Sequence, residues 1–166
     1  MDKNHKNNII NDLKFKLPLR FQWFEPKIVA VSFRPDEKLL QRYKNEGIKH
    51  IINLTEFDYF SHYKIDLGYT HIPISDGSTM SDDQIKQGIK ILNQLNSQNI
   101  PFLIHCAMGC GRTGMMLVLW GYLTGKISDD EDPVEWARKR RPCCLDNNEQ
   151  EKFARELKNK LKTLNI

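Results

Sequence analysis

The chain has 166 residues, 40% hydrophobic and 28% charged, the composition of one ordinary globular domain with room for a sizeable core. No apolar stretch approaches the length of a membrane span, and the opening M-D-K-N-H-K-N-N lacks the apolar core of a signal peptide, so a cytoplasmic protein without a membrane partner is expected. The net charge of +4 is mild; it suits an acidic substrate and does not require nucleic acid.

Residues 1–12 are rich in Asn and Lys and read as a flexible tail ahead of a single domain over 13–166. From Phe15 the apolar density rises, and Leu17, Leu19, Phe21, Trp23 and Phe24 are expected to pack on the body. Lys27–Phe33 reads as a strand. Pro35 and Asp36 then open a helix to about Glu46, with Gly47 at its C-terminal cap. Ile48–Leu54 is a second strand, and Glu56–Asp66 reads as irregular or a short helix. Tyr69–Ile74 is a third strand, ending in the loop Ser75–Met80. Ser81 and Gln84 have the spacing of a capping box, and Ile85, Ile89 and Leu92 carry that helix to about Gln98.

Phe102, Leu103 and Ile104 form a fourth strand, which runs into His105 and Cys106, and a largely apolar helix follows over Thr113–Leu123. Asp132-Pro133 caps and starts a helix through Arg141. The Asp146/Glu149 spacing suggests a last helix to Leu161. Strands alternating with helices predict an α/β fold with a single, mostly parallel central sheet flanked by helices on both faces.

The stretch that carries chemistry is I-P-F-L-I-H-C-A-M-G-C-G-R-T-G, Ile100 to Gly114. A buried strand passing through a tight glycine-containing loop into a helix aims backbone N–H groups and the positive helix end at one point, a site for an anion such as phosphate. A thiol beside such a nest is favoured as thiolate, which makes Cys106 a candidate nucleophile. Arg112 offers the planar fork that matches two phosphate oxygens. The phosphate-binding set is Ala107, Met108, Gly109, Cys110, Gly111 and Arg112.

His105-Cys106, the loop after them and Arg112-Thr113-Gly114 resemble the signature loop of the cysteine-dependent protein tyrosine phosphatases, and the short chain resembles a small atypical dual-specificity phosphatase. The resemblance extends from about Phe21 to Leu157. It implies the fold of that family, with hydrolysis of phosphotyrosine and of phosphoserine or phosphothreonine in a protein substrate through a phosphocysteine. It also implies that the Thr113 hydroxyl, besides suiting a helix N-cap, hydrogen-bonds the cysteine sulfur. His105 is expected to brace the loop through backbone hydrogen bonds. No metal or organic cofactor is needed, because the amides and Arg112 stabilise the equatorial oxygens.

A proton donor is required for the leaving oxygen, and Asp76 is the candidate, on a loop directly after a strand that ends on the same sheet edge. The family often has a Pro-Asp pair there, where this chain has Ser75-Asp76, and Asp82 and Asp83 are rivals that also suit a first helical turn. The segment R-P-C-C-L-D-N-N-E-Q-E-K-F resembles the C-terminal part of small atypical members, which points to Gln150, or Asn147 instead, as the residue that positions water.

Cys106, Cys110, Cys143 and Cys144 show no paired C-x2-C spacing for zinc, and free thiols are expected in a reducing compartment. Cys110 reads as a loop-lining residue or, alternatively, as a thiol that traps an oxidised Cys106. The run Arg138-Lys139-Arg140-Arg141 reads as a solvated helix end, a phosphate attractor or a nuclear-import signal. Other readings are a phosphatase for an RNA 5′ end or a phosphoinositide, and a phosphate-binding pseudoenzyme or adaptor. A monomer is expected.

Overall fold

The computed structural model describes residues 21–166. The expected tail at 1–12, with Leu17 and Leu19, lies outside the described residues. Strands β1 (Gln22–Glu25), β2 (Val29–Ser32), β3 (His50–Asn53), β4 (Gly68–His71) and β5 (Phe102–His105) form one 5-stranded sheet in the order β1-β2-β5-β3-β4. Only β1 is antiparallel to its neighbour. The helices among the described residues are α1 (Glu37–Asn45), α2 (Asp82–Ser97), α3 (Gly111–Leu123), α4 (Pro133–Arg140) and α5 (Asn148–Thr163), with a 3-10 turn at Phe60–His62.

Strand periodicity sorts the core into two layers. Val29, Val31, Ile52, Phe102 and Ile104 face the helices α2 to α5, whereas Ala30, Ile51 and Leu103 face α1 through Leu40 and Tyr43. Phe24 is buried in the first layer, and Phe21 and Trp23 pack at the margin of the second, as expected for the N-terminal aromatic residues. The unexpected element is β1. The segment read as one strand from Lys27 is divided by a turn in which Lys27 takes a φ of 62°, and Gln22–Glu25 folds back as an edge strand on β2.

The connections place the site. The chain crosses from β2 to β3 through α1 on one face and from β4 to β5 through α2 on the other, so β5 enters between β2 and β3. A crevice opens at the C-terminal end of a strand where successive crossovers diverge in this way. The parallel register aligns Ser32 with His105, His105 with Asn53, and Asn53 with His71. The loops that follow β2, β3, β4 and β5 therefore emerge along one edge.

Local capping worked mostly as read. Asp36 accepts from Leu39 N at 2.8 Å, and the Ser81/Gln84 capping box is complete. The last helix differs. Its cap is Asn147, whose Oδ1 accepts from Gln150 N at 2.9 Å, while Asp146 N donates to Gln150 Oε1. The pairs 146/149 and 147/150 have the same spacing, and contacts from outside the helix decide between them. Helix α3 also starts earlier than expected, at Gly111.

Two expectations about side chains are corrected. Cys110 and Cys143 form a disulfide, with Cα atoms 5.2 Å apart, leaving Cys106 and Cys144 as the free cysteines. Packing of the segment after α4 against the phosphate loop, including Leu145 N donating to Cys110 O at 3.2 Å, brings the two together; sequence spacing carries no record of that approach. With its sulfur bonded to Cys143, Cys110 has no thiol with which to trap Cys106. The basic run is likewise no uniformly solvated helix end. Arg138 bonds the carbonyls of Cys144 and Leu145 and pairs with Glu151, Arg140 pairs with Glu25, Arg141 is fully buried, and Lys139 remains exposed.

Candidate active site

The turn from Cys106 to Gly111 is built by tying its carbonyls outward. Arg34 N donates to Ala107 O at 2.9 Å, and Arg141 donates to both Met108 O and Gly109 O. Cys110 O accepts from Gly114 N and Leu145 N. Within a planar trans peptide the N–H points opposite to the carbonyl, so tethering these four carbonyls turns the N–H groups of Met108, Gly109, Cys110 and Gly111 toward the concave side. The N-terminus of α3 opens on the same loop, and together they form an anion nest.

Cys106 is buried at the foot of this nest, and its sulfur accepts a hydrogen bond from the Thr113 hydroxyl at 3.1 Å. Gly109 holds the turn with a φ of +71° and leaves no space for a side chain, since a Cβ there would collide with the Ser32 carbonyl. Glycine is required on both counts.

His105 is fully buried. Its Nδ1–H donates to the Cys106 carbonyl at 3.2 Å, so Nε2 is the acceptor, and the Tyr59 hydroxyl donates to it. Burial pulls the imidazole pKa down to about 3, partly opposed by the bond to Cys106 O, so His105 is neutral at physiological pH. Its bond to the Cys106 carbonyl ties the ring to the backbone at the start of the loop. Burial pushes the Tyr59 hydroxyl well above the ordinary tyrosine range.

Arg112 is only 3% exposed. Its Nη1 donates to Ile74 O at 2.7 Å and contacts the Glu56 carboxylate, while Nη2 stands 3.5 Å from Asp76 Oδ1. The structure thus brings Cys106, Arg112, Thr113 and Asp76 to one edge. Asp82 and Asp83 lie instead in the first turn of α2, where Asp82 pairs with Lys160. Gln150 is buried, with its amide engaged by Asp146 N and the carbonyl of Ser78.

Glu56 and Arg141 did not stand out in the sequence. The signal for Glu56 was its place just after β3, on the edge where parallel strands deliver their loops; Asn53 and Thr55 hold that loop through buried hydrogen bonds. For Arg141 no local signal exists, because it is the last of four basic residues and alone among them is fully buried. Burial lowers its pKa, an effect opposed by the nearby sulfurs of Cys144 and Cys106. Burial also raises the Cys144 thiol to about 12, and Cys144 packs in the core as a neutral thiol.

Residues 30–126 match the family "Polymorphic toxin system, DSP-PTPase phosphatase". The chain belongs to this family of cysteine-based dual-specificity phosphatases. Among curated proteins, it is 28% identical over 108 residues to "Dual specificity protein phosphatase CDC14C" of Homo sapiens, a match covering 64% of this chain and 23% of that one. The chain therefore matches less than a quarter of the length of that curated relative. Among solved structures, the active form of Tk-PTP is similar at 24% identity and a TM-score of 0.69, covering 83% of this chain and 99% of that chain. DUSP15 is similar at 19% identity and a TM-score of 0.68, covering 88% and 94%. These likenesses establish a phosphatase-like fold. Among the described residues, no helix is long and apolar enough to cross a membrane, and no His, Cys, Asp and Glu group is arranged to hold a metal.

Proposed function

We propose that the protein hydrolyses phosphate monoesters of phosphotyrosine and of phosphoserine or phosphothreonine in proteins through a phosphocysteine on Cys106. The observation that carries this reading is the buried Cys106, its sulfur hydrogen-bonded by Thr113, at the start of a loop whose four carbonyls are tied away from it and beside a buried arginine. Glu56 and Ile74 O occupy Nη1 of Arg112, so two phosphate oxygens would meet the guanidinium on its Nε–Nη2 edge, taking the place of the Asp76 carboxylate now 3.5 Å from Nη2. The thiolate attacks phosphorus in line, and Asp76 protonates the leaving oxygen. Water then attacks the phosphocysteine, Asp76 takes its proton, and the P–S electron pair returns to sulfur, aided by the Thr113 hydroxyl.

The rim supports broad acceptance of aryl and alkyl esters. The Asp76 side chain is 73% exposed, Met108 56% and Phe57 50%, so the side chains of the loops around the nest stand largely in solvent. The similar human protein is a protein phosphatase by name, which favours a protein substrate.

Hydrolysis of aryl phosphates by the wild type, Cys106→Ser and Asp76→Asn tests the chemistry. Cys106→Ser should lose about 10⁴-fold or more in kcat. Asp76→Asn should lose about 10²-fold or more, chiefly with poor leaving groups. Wild-type turnover by Cys106→Ser would refute the assignment. Comparing phosphopeptides with triphosphorylated RNA and inositide lipids tests the substrate class; preference for either of the latter two would refute the protein reading.

A further inference from the structure

The loop that carries Asp76 is held from the far end of the chain. Ser78 N donates to Ser75 O at 3.0 Å, closing a turn in which Gly77 takes a φ of +76°. Asn147 Nδ2 donates to Gly77 O at 3.0 Å, and Gln150 Nε2 donates to Ser78 O at 3.2 Å. The two carbonyls just beyond Asp76 are therefore fixed by the start of α5. The Asp76 side chain itself is 73% exposed, with Arg112 at 3.5 Å.

Asn147 does this while also capping α5 through Oδ1. Serine, threonine and aspartate also cap helices well, but asparagine is the only one of the four that adds an amide N–H donor. Position 147 uses both functions. Gln150 is buried inside the same junction, whereas Asn147 is half-buried and open to substitution.

We propose that Asn147 is a positioning residue for the proton donor: its amide fixes the Gly77 carbonyl and thereby aims the Asp76 carboxyl at the leaving oxygen. The proposal rests on Asp76 acting as the acid. A carboxyl held in place protonates a departing alkoxide or phenoxide as the P–O bond breaks, whereas one on a loosened turn spends less time within reach. The effect depends on how badly the leaving group needs the proton.

The test replaces the amide and keeps the cap. Asn147→Ser and Asn147→Asp both retain an oxygen that accepts from Gln150 N, and thermal unfolding checks that α5 remains folded. Turnover is measured on p-nitrophenyl phosphate, whose phenolate leaves readily, and on phenyl phosphate, whose phenolate needs protonation. Both variants should lose about 3- to 10-fold in kcat on phenyl phosphate, the worth of one hydrogen bond, with less than about 2-fold change on p-nitrophenyl phosphate and little change in KM. The dependence of kcat on leaving-group pKa should steepen toward that of Asp76→Asn. Wild-type kcat on phenyl phosphate, or an equal loss on both substrates, would overturn the positioning role. Asp76→Asn run alongside separates the two levels. If it discriminates between the substrates while the Asn147 variants do not, only the latch fails. If it does not discriminate, the acid assignment fails and the latch with it.

Discussion

Two loops meet at Arg112, and they are held in opposite ways. The phosphate loop is tied from behind by Arg34, Arg141 and Leu145, covalently anchored through Cys110–Cys143, and built around a buried cysteine and a buried arginine. The Asp76 loop is tied from outside by Asn147 and Gln150 and leaves its carboxyl largely in solvent. The difference fits the roles proposed for each. Donors that stabilise developing charge contribute most when no reorganisation is needed as the reaction proceeds, whereas a carboxyl proposed to give up and regain a proton is served by access to water. Both loops are joined to one segment, Arg141 to Gln150, so the buried half and the exposed half share a support.

Substitutions at the two turn glycines measure this contrast most directly, because Gly109 and Gly77 have nearly the same φ, +71° and +76°. At Gly109 an added Cβ would collide with the Ser32 carbonyl and stand 2.8 Å from Arg141 Nη2. Gly109→Ala should displace the nest and reduce kcat by about 10³-fold, read with a generic aryl phosphate.

The anchor comes next. A disulfide with a sequence separation of 33 restricts the unfolded chain, and the double variant Cys110→Ser/Cys143→Ser should be less stable by about 3–4 kcal/mol in denaturant titration under non-reducing conditions. Equal stability of the two proteins would show that hydrogen bonds from Arg141 and Leu145 alone hold the loop.

The buried histidine gives the phosphate loop a pH signature. His105 binds a proton at about pH 6.5 when unfolded but only at about pH 3 when folded. Between those values the unfolded state carries the extra proton. Its contribution to stability is thus complete above about pH 6.5 and is lost as pH falls toward 3, by up to about 1.4 kcal/mol per pH unit. Denaturant titrations at pH 7, 6 and 5 should show that slope, and His105→Gln should flatten it.

Gly77→Ala should have the smallest effect. A Cβ at Gly77 meets only Asn147 Nδ2, at 3.9 Å, so the cost is that of a left-handed alanine, about 1 kcal/mol, measured as a shift in the unfolding midpoint. A loss at Gly77 as large as that at Gly109 would show that the Asp76 loop is as tightly preorganised as the nest.

Much of the fold and the centre of the site were legible in the chain, and the legible parts are local. The apolar run Phe102–Ile104, the capping box at Ser81 and Gln84, the Asp132-Pro133 start and the Cys106–Arg112 loop each depend on residues within one turn or one strand. The misreadings involve choices that local spacing leaves equal. Asp146 with Glu149 and Asn147 with Gln150 are equally good capping pairs on paper, but only the second also supplies an amide to Gly77. Arg138, Lys139, Arg140 and Arg141 look alike in sequence, yet only Arg141 is fully buried and bonded to the phosphate loop.

By itself, then, the sequence determined that a strand would end at a cysteine beneath a glycine-bearing anion loop closed by an arginine, because backbone geometry over a few residues dictates it. Tertiary structure alone decided that Glu56 would meet Arg112, that Cys110 would bond Cys143, and that Asn147 would hold Gly77. Those partners are distant in the chain. They meet only because the parallel register of the sheet brings its loops to one edge, and α4 and α5 fold back over that edge.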